Sequence, residues 1–356
     1  MIPEIAVALD RQDFEMALQL IKALPTDHPW GRLYQGQLYE AQELWEKADS
    51  LYRQLLRQEY GPGIAKAARQ GLQRLQDRQQ ALRQQKLSEA MDQPGQNQLG
   101  VLVLEPLSPE EKAEVVPQFA QVMQIDPYTA RLLIPSRGWR LYRVGPIGEL
   151  TVYGQELQRV GVPCFWTTLA QVKALQVYPA SYFKALGNLA EVVVQCSDPQ
   201  TKLQQPQDFS FAWSDVAHRV EGLVPIFEEV VDLDPRGKLK RKEQIQDHAQ
   251  FCDLHLPKQG CILRFYDAVY QFRQGVPLTT AEEETSWANW RALRTLLDQY
   301  LPKIPSWSEF TPFAETAVEQ MELLGEFESY INLFRREDSK WDQAFHLYSS
   351  LAMLKP

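Results

Sequence analysis

The sequence predicts an α+β protein of several domains, with helices at both ends and two strand-containing modules between them. Three observations predict it. Between Trp30 and Pro62, small and aromatic residues recur at helical spacing. Past residue 98 the apolar period shortens, and strand-like runs alternate with helical ones. From Thr279 onward the helical period returns.

The first helical signal is Asp13, Phe14, Glu15, Ala17, Leu18 and Ile21, which Pro25 brings to an end. In the next segment Gly36 and Tyr39 lie three apart, and Ala48 and Tyr52 four apart, with Leu55 and Leu56 behind them. A small residue lets two helices touch, and an aromatic beside it fills the groove. Gly36 and Ala48 are the expected contacts, and Tyr39, Trp45 and Tyr52 the wedges. A Gln- and Arg-rich helix follows over 63–87, with Leu72 and Leu75 as its clearest apolar positions.

Gly-x-x-Tyr followed by Ala-x-x-x-Tyr resembles a tetratricopeptide unit, and the match covers about one 34-residue repeat. A degenerate unit precedes it, although Ala17 and Ala48 are only 31 apart. The resemblance implies a helical domain over 1–87 that receives another protein. Gly36, Tyr39, Ala48 and Tyr52 would be its structural positions, and Arg32, Gln35 and Tyr39 would line its concave face. An ordinary helical bundle with the same residues as core is the alternative. The phrases CDLHLP, CILRF and YQFRQG also resemble those of uncharacterised tetratricopeptide-bearing proteins of cyanobacteria. That likeness implies a cytosolic or thylakoid-associated protein and supplies no functional residues.

Residues 88–98, SEAMDQPGQNQ, have the composition of a linker. LGVLVL (99–104) then reads as a buried strand. Ser108 and Glu111 form a capping box around Pro109, opening a helix to about Gln124. Asp126 and Pro127 open a short helix. WRLYRV reads as a strand, 145–160 as a helix and VPCFWTTL as a strand. A short helix near Gln171 and strand-like runs near 177–182 and 191–196 complete an expected small α/β sandwich over 99–198, of ferredoxin-like type.

A β-rich module is expected over 199–278. FSFAW alternates, and HAQFCDLHLP and CILRFYDAVYQFRQG flank a turn at Lys258, Gln259 and Gly260. Residues 279–356 read as a helical bundle packed on that module. Thr279 or Thr280 caps a helix with Glu282, Glu283 and Glu284 in its first turn. Its stripe is Trp287, Trp290, Leu293, Leu297 and Leu301. Pro312 opens a helix carrying Ala317, Met321, Leu324 and Phe327, and Trp341, Phe345 and Leu351 mark the last one.

The totals narrow the function. Net charge −9 and pI near 5.3 argue against general affinity for nucleic acid or anionic lipid. No apolar run approaches the ~18 residues of a membrane span, and the acidic N-terminus lacks the basic start of a signal peptide. Four scattered cysteines fit a reducing compartment. A cytoplasmic protein without membrane insertion is expected.

Four clusters carry chemistry worth weighing. Cys252, His255 and Cys261, with His248 nearby, are zinc-type ligands. On a strand, however, Cys252 and His255 face opposite ways, so a buried cysteine and a polar-face histidine are expected instead. Gly145-Pro-Ile-Gly148 sits where a phosphate loop would but lacks its third glycine and its lysine, which leaves a plain turn. Arg131, Arg137, Arg140 and Arg143 cluster around a loop, and Arg137 and Arg140 are the candidates for holding an anion. The basic run Arg236 to Lys242 is either a solvated loop or a docking patch for an acidic partner. No serine-hydrolase, zinc-protease or nucleotide-binding signature occurs. The expectation is a non-enzymatic adaptor without cofactor or metal that binds partner proteins. The alternative is a sensor of a small anionic ligand in the central domain.

Overall fold

The computed structural model of the chain describes residues 2–58, 60–197, 204–233, 239–278, 285–335 and 338–356. Its contacts divide it into two units, Met1–Asp92 and Gln93–Pro356. Helix and sheet are both present, which makes it an α+β protein.

The first unit is helical throughout. It comprises α1 (Ile2–Asp10), α2 (Phe14–Lys22), α3 (Pro29–Ala41), α4 (Trp45–Arg57) and α5 (Pro62–Met91). Local chemistry sets the starts. The Asp13 carboxylate accepts from the Met16 amide, and Pro29 and Pro62 occupy first-turn positions. The turns repeat. Gln12 and Glu43 both take left-handed backbone, with φ of 58° and 60°. Around Gln12, amides of Arg11, Gln12 and Asp13 donate to Val7, Leu9 and Ala8; around Glu43, those of Gln42, Glu43 and Leu44 donate to Leu38, Glu40 and Tyr39. Every bond recurs 31 residues later, the spacing that also relates Ala17 to Ala48, both wholly buried.

Tyr52 locks α4 between its neighbours. A Cβ on Gly36 of α3 would lie 2.6 Å from the ring, and one on Gly71 of α5 would lie 2.5 Å from it. The hydroxyl donates to the Glu40 carboxylate, which also receives Arg74 Nε at 3.0 Å and Nη2 at 2.7 Å. One buried phenol therefore ties three helices together.

The second unit begins with β1 (Leu99–Leu104), α6 (Pro109–Met123), α7 (Pro127–Leu133), β2 (Arg140–Pro146), α8 (Ile147–Arg159), β3 (Cys164–Thr168) and α9 (Leu169–Ala174). The Ser108–Glu111 capping box is formed, as the sequence predicts. β4 (Gln176–Ala185), β5 (Leu189–Ser197), β6 (Gln204–Ala212), β7 (His218–Leu233), β8 (Leu239–Leu256) and β9 (Cys261–Tyr266) follow. After them come α10 (Ser286–Tyr300), β10 (Ser306–Trp307), α11 (Phe310–Ala317), α12 (Met321–Leu324) and α13 (Lys340–Leu354).

Two sheets result. The smaller has the order β2-β1-β3 and is antiparallel throughout. The larger has the order β10-β7-β8-β9-β4-β5-β6, parallel at β10/β7 and β4/β9. Residues 99–198 thus do not close into one ferredoxin-like sandwich: β4 and β5 join the larger sheet, because β4 pairs with β9 rather than with β3. The 88–98 segment also differs from a simple linker. Residues 88–91 extend α5, and the Gln96 and Gln98 carbonyls accept from the Gly148 and Ile147 amides.

Alternation along the strands splits the core. Val101 and Val103 face one cluster with α11 and α13, while Leu102 and Leu104 face another with Phe119 and Leu150. In β8, Phe251 packs against α13, while Cys252, Leu254 and Leu256 pack with Trp290, Leu293 and Leu297 of α10. The C-terminal helices therefore do not form one bundle. α11 and α13 lie between the two sheets, and α10 covers the opposite face of the larger one. α13 is buried from Asp342 almost to its end apart from half-buried Gln343, as a helix enclosed on all sides must be.

Two expected core positions prove exposed. Trp287 is 61% exposed, with Arg291 stacked over its ring, and Met321 is 65% exposed where the chain restarts after α11. The Thr279/Thr280 cap and Glu282 to Glu284 lie outside the described residues; α10 is capped by Thr285, whose hydroxyl accepts from the Ala288 amide. The hairpin turn at 258–260 is present, with Gly260 at φ 66°, although its second strand ends at Tyr266.

Candidate functional site

In the helical unit an open pocket of about 460 Å³ lies between α3 and α5. Gln37, Glu40 and Ala41 form one wall, Arg74 and Arg78 the other, and Trp45 borders it. Arg74 is committed to Glu40. Arg78 lies over the Trp45 ring, 4.3 Å from its centroid, and reaches the exposed Glu43 only at 3.4 Å. A guanidinium flat on an indole keeps its in-plane donors available.

The residues expected on the concave face occupy another strip of α3. Arg32 bonds Asp27 at 2.6 Å and Gln58 at 3.3 Å, and the Gln35 amide donates to the Tyr39 hydroxyl at 3.1 Å. None of the three lines the α3–α5 pocket. The structural positions are more telling: Gly36, Ala48 and Tyr52 are buried together, and Tyr39 packs on the same cluster. Sequence reasoning passed over Arg74 and Arg78. Their signal was a basic pair four residues apart on a helix, which is indistinguishable from a solvated face.

In the second unit the four arginines do not converge. Arg137 pairs with Glu309 through two bonds of 2.6 and 3.1 Å, and Arg143 pairs with Glu149 at 2.6 Å. Arg140 donates to the Leu132 carbonyl at 3.5 Å. Arg131 instead lines a cleft of about 330 Å³ with Lys112 and Ser136. The expected pairing of Arg137 with Arg140 as an anion site is thus not what the geometry offers, since Glu309 already occupies the Arg137 fork.

The Gly145–Gly148 turn has little to offer a phosphate. Gly145 and Pro146 lie in register with β1, Pro146 has no N–H, and the Ile147 and Gly148 amides donate to the Gln98 and Gln96 carbonyls. Of the basic run, Arg236, Gly237 and Lys238 lie outside the described residues. Lys240 to Lys242 are described as backbone paired with Asp232 to Val230.

The cysteine–histidine cluster is split by the sheet. Cys252 faces α10 and His255 faces α13, so the two cannot share an ion; Cys261 lies with Cys252, and His248 is exposed. Among the described residues no group of three His, Cys, Asp or Glu side chains is placed to hold a metal. His255 is not on a polar face, because α13 covers that side of the sheet. It is wholly buried, its Nε2 sits 3.0 Å from Ser349 Oγ, and burial pushes its pKa down to about 3. Burial pushes the Cys252 thiol up to about 12.

His255 lies among a set of buried polar pairs that the sequence reading missed. Arg264 and Asp253 are both wholly buried, joined through Nε at 3.0 Å and Nη2 at 2.7 Å. Arg264 Nη1 also reaches the Ser329 carbonyl at 2.5 Å. Asp342 pairs with Arg335, and His346 Nδ1 lies 3.5 Å from Ser350 Oγ. The available signal was polar residues at alternate strand positions 253 and 255, matched by Asp342, His346 and Ser349 at helical spacing. Neither of the two cavities described above is lined by these serine–histidine pairs, and all four side chains are buried.

Comparison of the chain with protein-family models, curated proteins and solved structures gives no match. Among the described residues no helix is long and apolar enough to cross a membrane.

Proposed function

We propose that this chain is a non-enzymatic cytoplasmic docking protein whose helical unit receives an acidic segment of a partner protein between α3 and α5. The supporting observation is Arg78 stacked on Trp45 at the mouth of that pocket. Such a pair offers a carboxylate a charged fork and an apolar side chain a flat ring. The 31-residue recurrence of the turns favours a tetratricopeptide-like unit, in which first helices of successive pairs form the receiving face. α3 and α5 hold those places. Against a net charge of −9, the Arg78 fork at the pocket discriminates for acidic partners through charge complementarity.

A photo-crosslinking residue at Ala41 of the full chain tests the reading. Crosslinked peptides should be rich in Asp and Glu and should disappear with Arg78→Glu. Crosslinks indifferent to that charge reversal refute it.

A further inference from the structure

The cleft between α6 and α7 carries a second proposal, which does not rest on the docking reading. Its lining includes Lys112 from α6, Arg131 from α7 and Ser136 from the following loop, with Pro109 and Val116 as apolar wall. Among the described residues no carboxylate lines it. Lys112 Nζ donates to the Ile134 carbonyl at 2.5 Å and to Ser136 Oγ at 3.2 Å, which fixes the ammonium at the cleft and leaves its third proton unassigned. Arg140 is held close by through the Leu132 carbonyl. Among the described residues, Lys112, Arg131 and Arg140 enter no ion pair, while the neighbouring Arg137 and Arg143 both do.

Three cations gathered without a counter-charge repel one another, and the ammonium among them is partly desolvated. Lys112 accordingly titrates below the ordinary lysine value, through burial first and then through Arg131 and Arg140. An acidic chain has many carboxylates with which to neutralise such a cluster, yet none stands here. The other chemistry that relieves it is an anion from solution. A hydroxyl, an ammonium and a guanidinium are together the donor set that phosphate oxygens accept from. A cleft of about 330 Å³ is also at the lower end of small-molecule sites.

We infer that Lys112, Arg131 and Ser136, assisted by Arg140, form a binding site for a small phosphate-bearing ligand. Arg131 reads the phosphate from the open side and Lys112 from the inner one. Pro109 and Val116 receive the rest of the molecule.

Calorimetric titration of the full chain with inorganic pyrophosphate at low ionic strength is the test. Saturable one-site binding is expected, weakened at least about tenfold by Arg131→Gln, the loss of one charge-assisted contact. Arg137→Gln, which removes the charge next in sequence to Ser136 but already paired with Glu309, should leave the affinity within about twofold. Far-UV circular dichroism establishes that both variants fold, and Lys112→Gln provides a second reading of the same site. Absence of binding overturns the inference. So does an Arg131→Gln variant that binds like wild type, or an equal loss in Arg137→Gln, which would mark general surface charge.

Discussion

Acidification should destabilise the second unit through His255. The imidazole is wholly buried, and its folded pKa is pushed down to about 3 by burial, with His218 and Arg264 adding to the shift. In the unfolded chain it returns to about 6.5. Between those values the unfolded state binds the extra proton, so stability is fully present above pH 6.5 and falls as pH drops toward 3. Linkage gives a slope of about 1.4 kcal/mol per pH unit, and hence a loss of about 2.7 kcal/mol at pH 4.5 from this one side chain. His346, lowered by burial and by Arg264, acts in the same direction. Asp342, raised by burial, acts in the opposite one, so the comparison must be made against a variant. His255→Gln removes the titration and keeps a partner for Ser349. Urea titrations at pH 6.5, 5.5 and 4.5, followed by tryptophan fluorescence, supply the stabilities; seven of the nine tryptophans lie in this unit. The wild type should lose about 2.3 kcal/mol more than the variant over that range, since about 0.4 kcal/mol of the total is already lost at pH 6.5. A difference between them that stays flat with pH refutes the reasoning.

Gly36→Ala or Gly71→Ala should destabilise the helical unit by about 1–2 kcal/mol, because overpacking against Tyr52 outweighs the helical gain of alanine. In a Tyr52→Leu background the sign should reverse, with each alanine then stabilising by up to about 1 kcal/mol, read by chemical denaturation. Asp253→Asn strands the buried Arg264 charge and should cost about 3–5 kcal/mol; replacing both by apolar residues, Asp253→Leu with Arg264→Met, should cost less than the single change. Native alkylation at pH 8 should modify Cys196 first. Cys164, Cys252 and Cys261 should wait for unfolding, since each is buried with its thiol pushed up to about 11 or 12, a pattern mass spectrometry resolves.

What could be read from the chain was what neighbouring residues decide. Ser108 with Glu111 and Gly260 in its turn both act within a few residues, and the structure places them accordingly. The pairing of β4 with β9 sets Gln176 beside Cys261, 85 residues later, and leaves no local period to detect. That single lateral contact moved two strands out of the expected sandwich. α13 was legible as a helix but not as an enclosed one, because His346, Ser349 and Ser350 look like a wet face until Arg264 and His255 are known to meet them. The pockets were hidden for a related reason. Arg78 and Arg131 are ordinary surface cations in sequence, and only Trp45 beneath one and Lys112 beside the other distinguish them.

α13 also dictates an order of assembly. It fills the space between two sheets whose strands precede it in the chain, and Phe345, Tyr348 and Leu351 complete a cluster shared with Val101 and Phe165. While the ribosome is still adding those residues, the inner faces of both sheets lack their common filling. Such long-range closure is slow and leaves apolar strands open to mispairing. The second unit therefore matures after its last helix emerges, whereas the helical unit, closed by its own five helices, is free to fold well before.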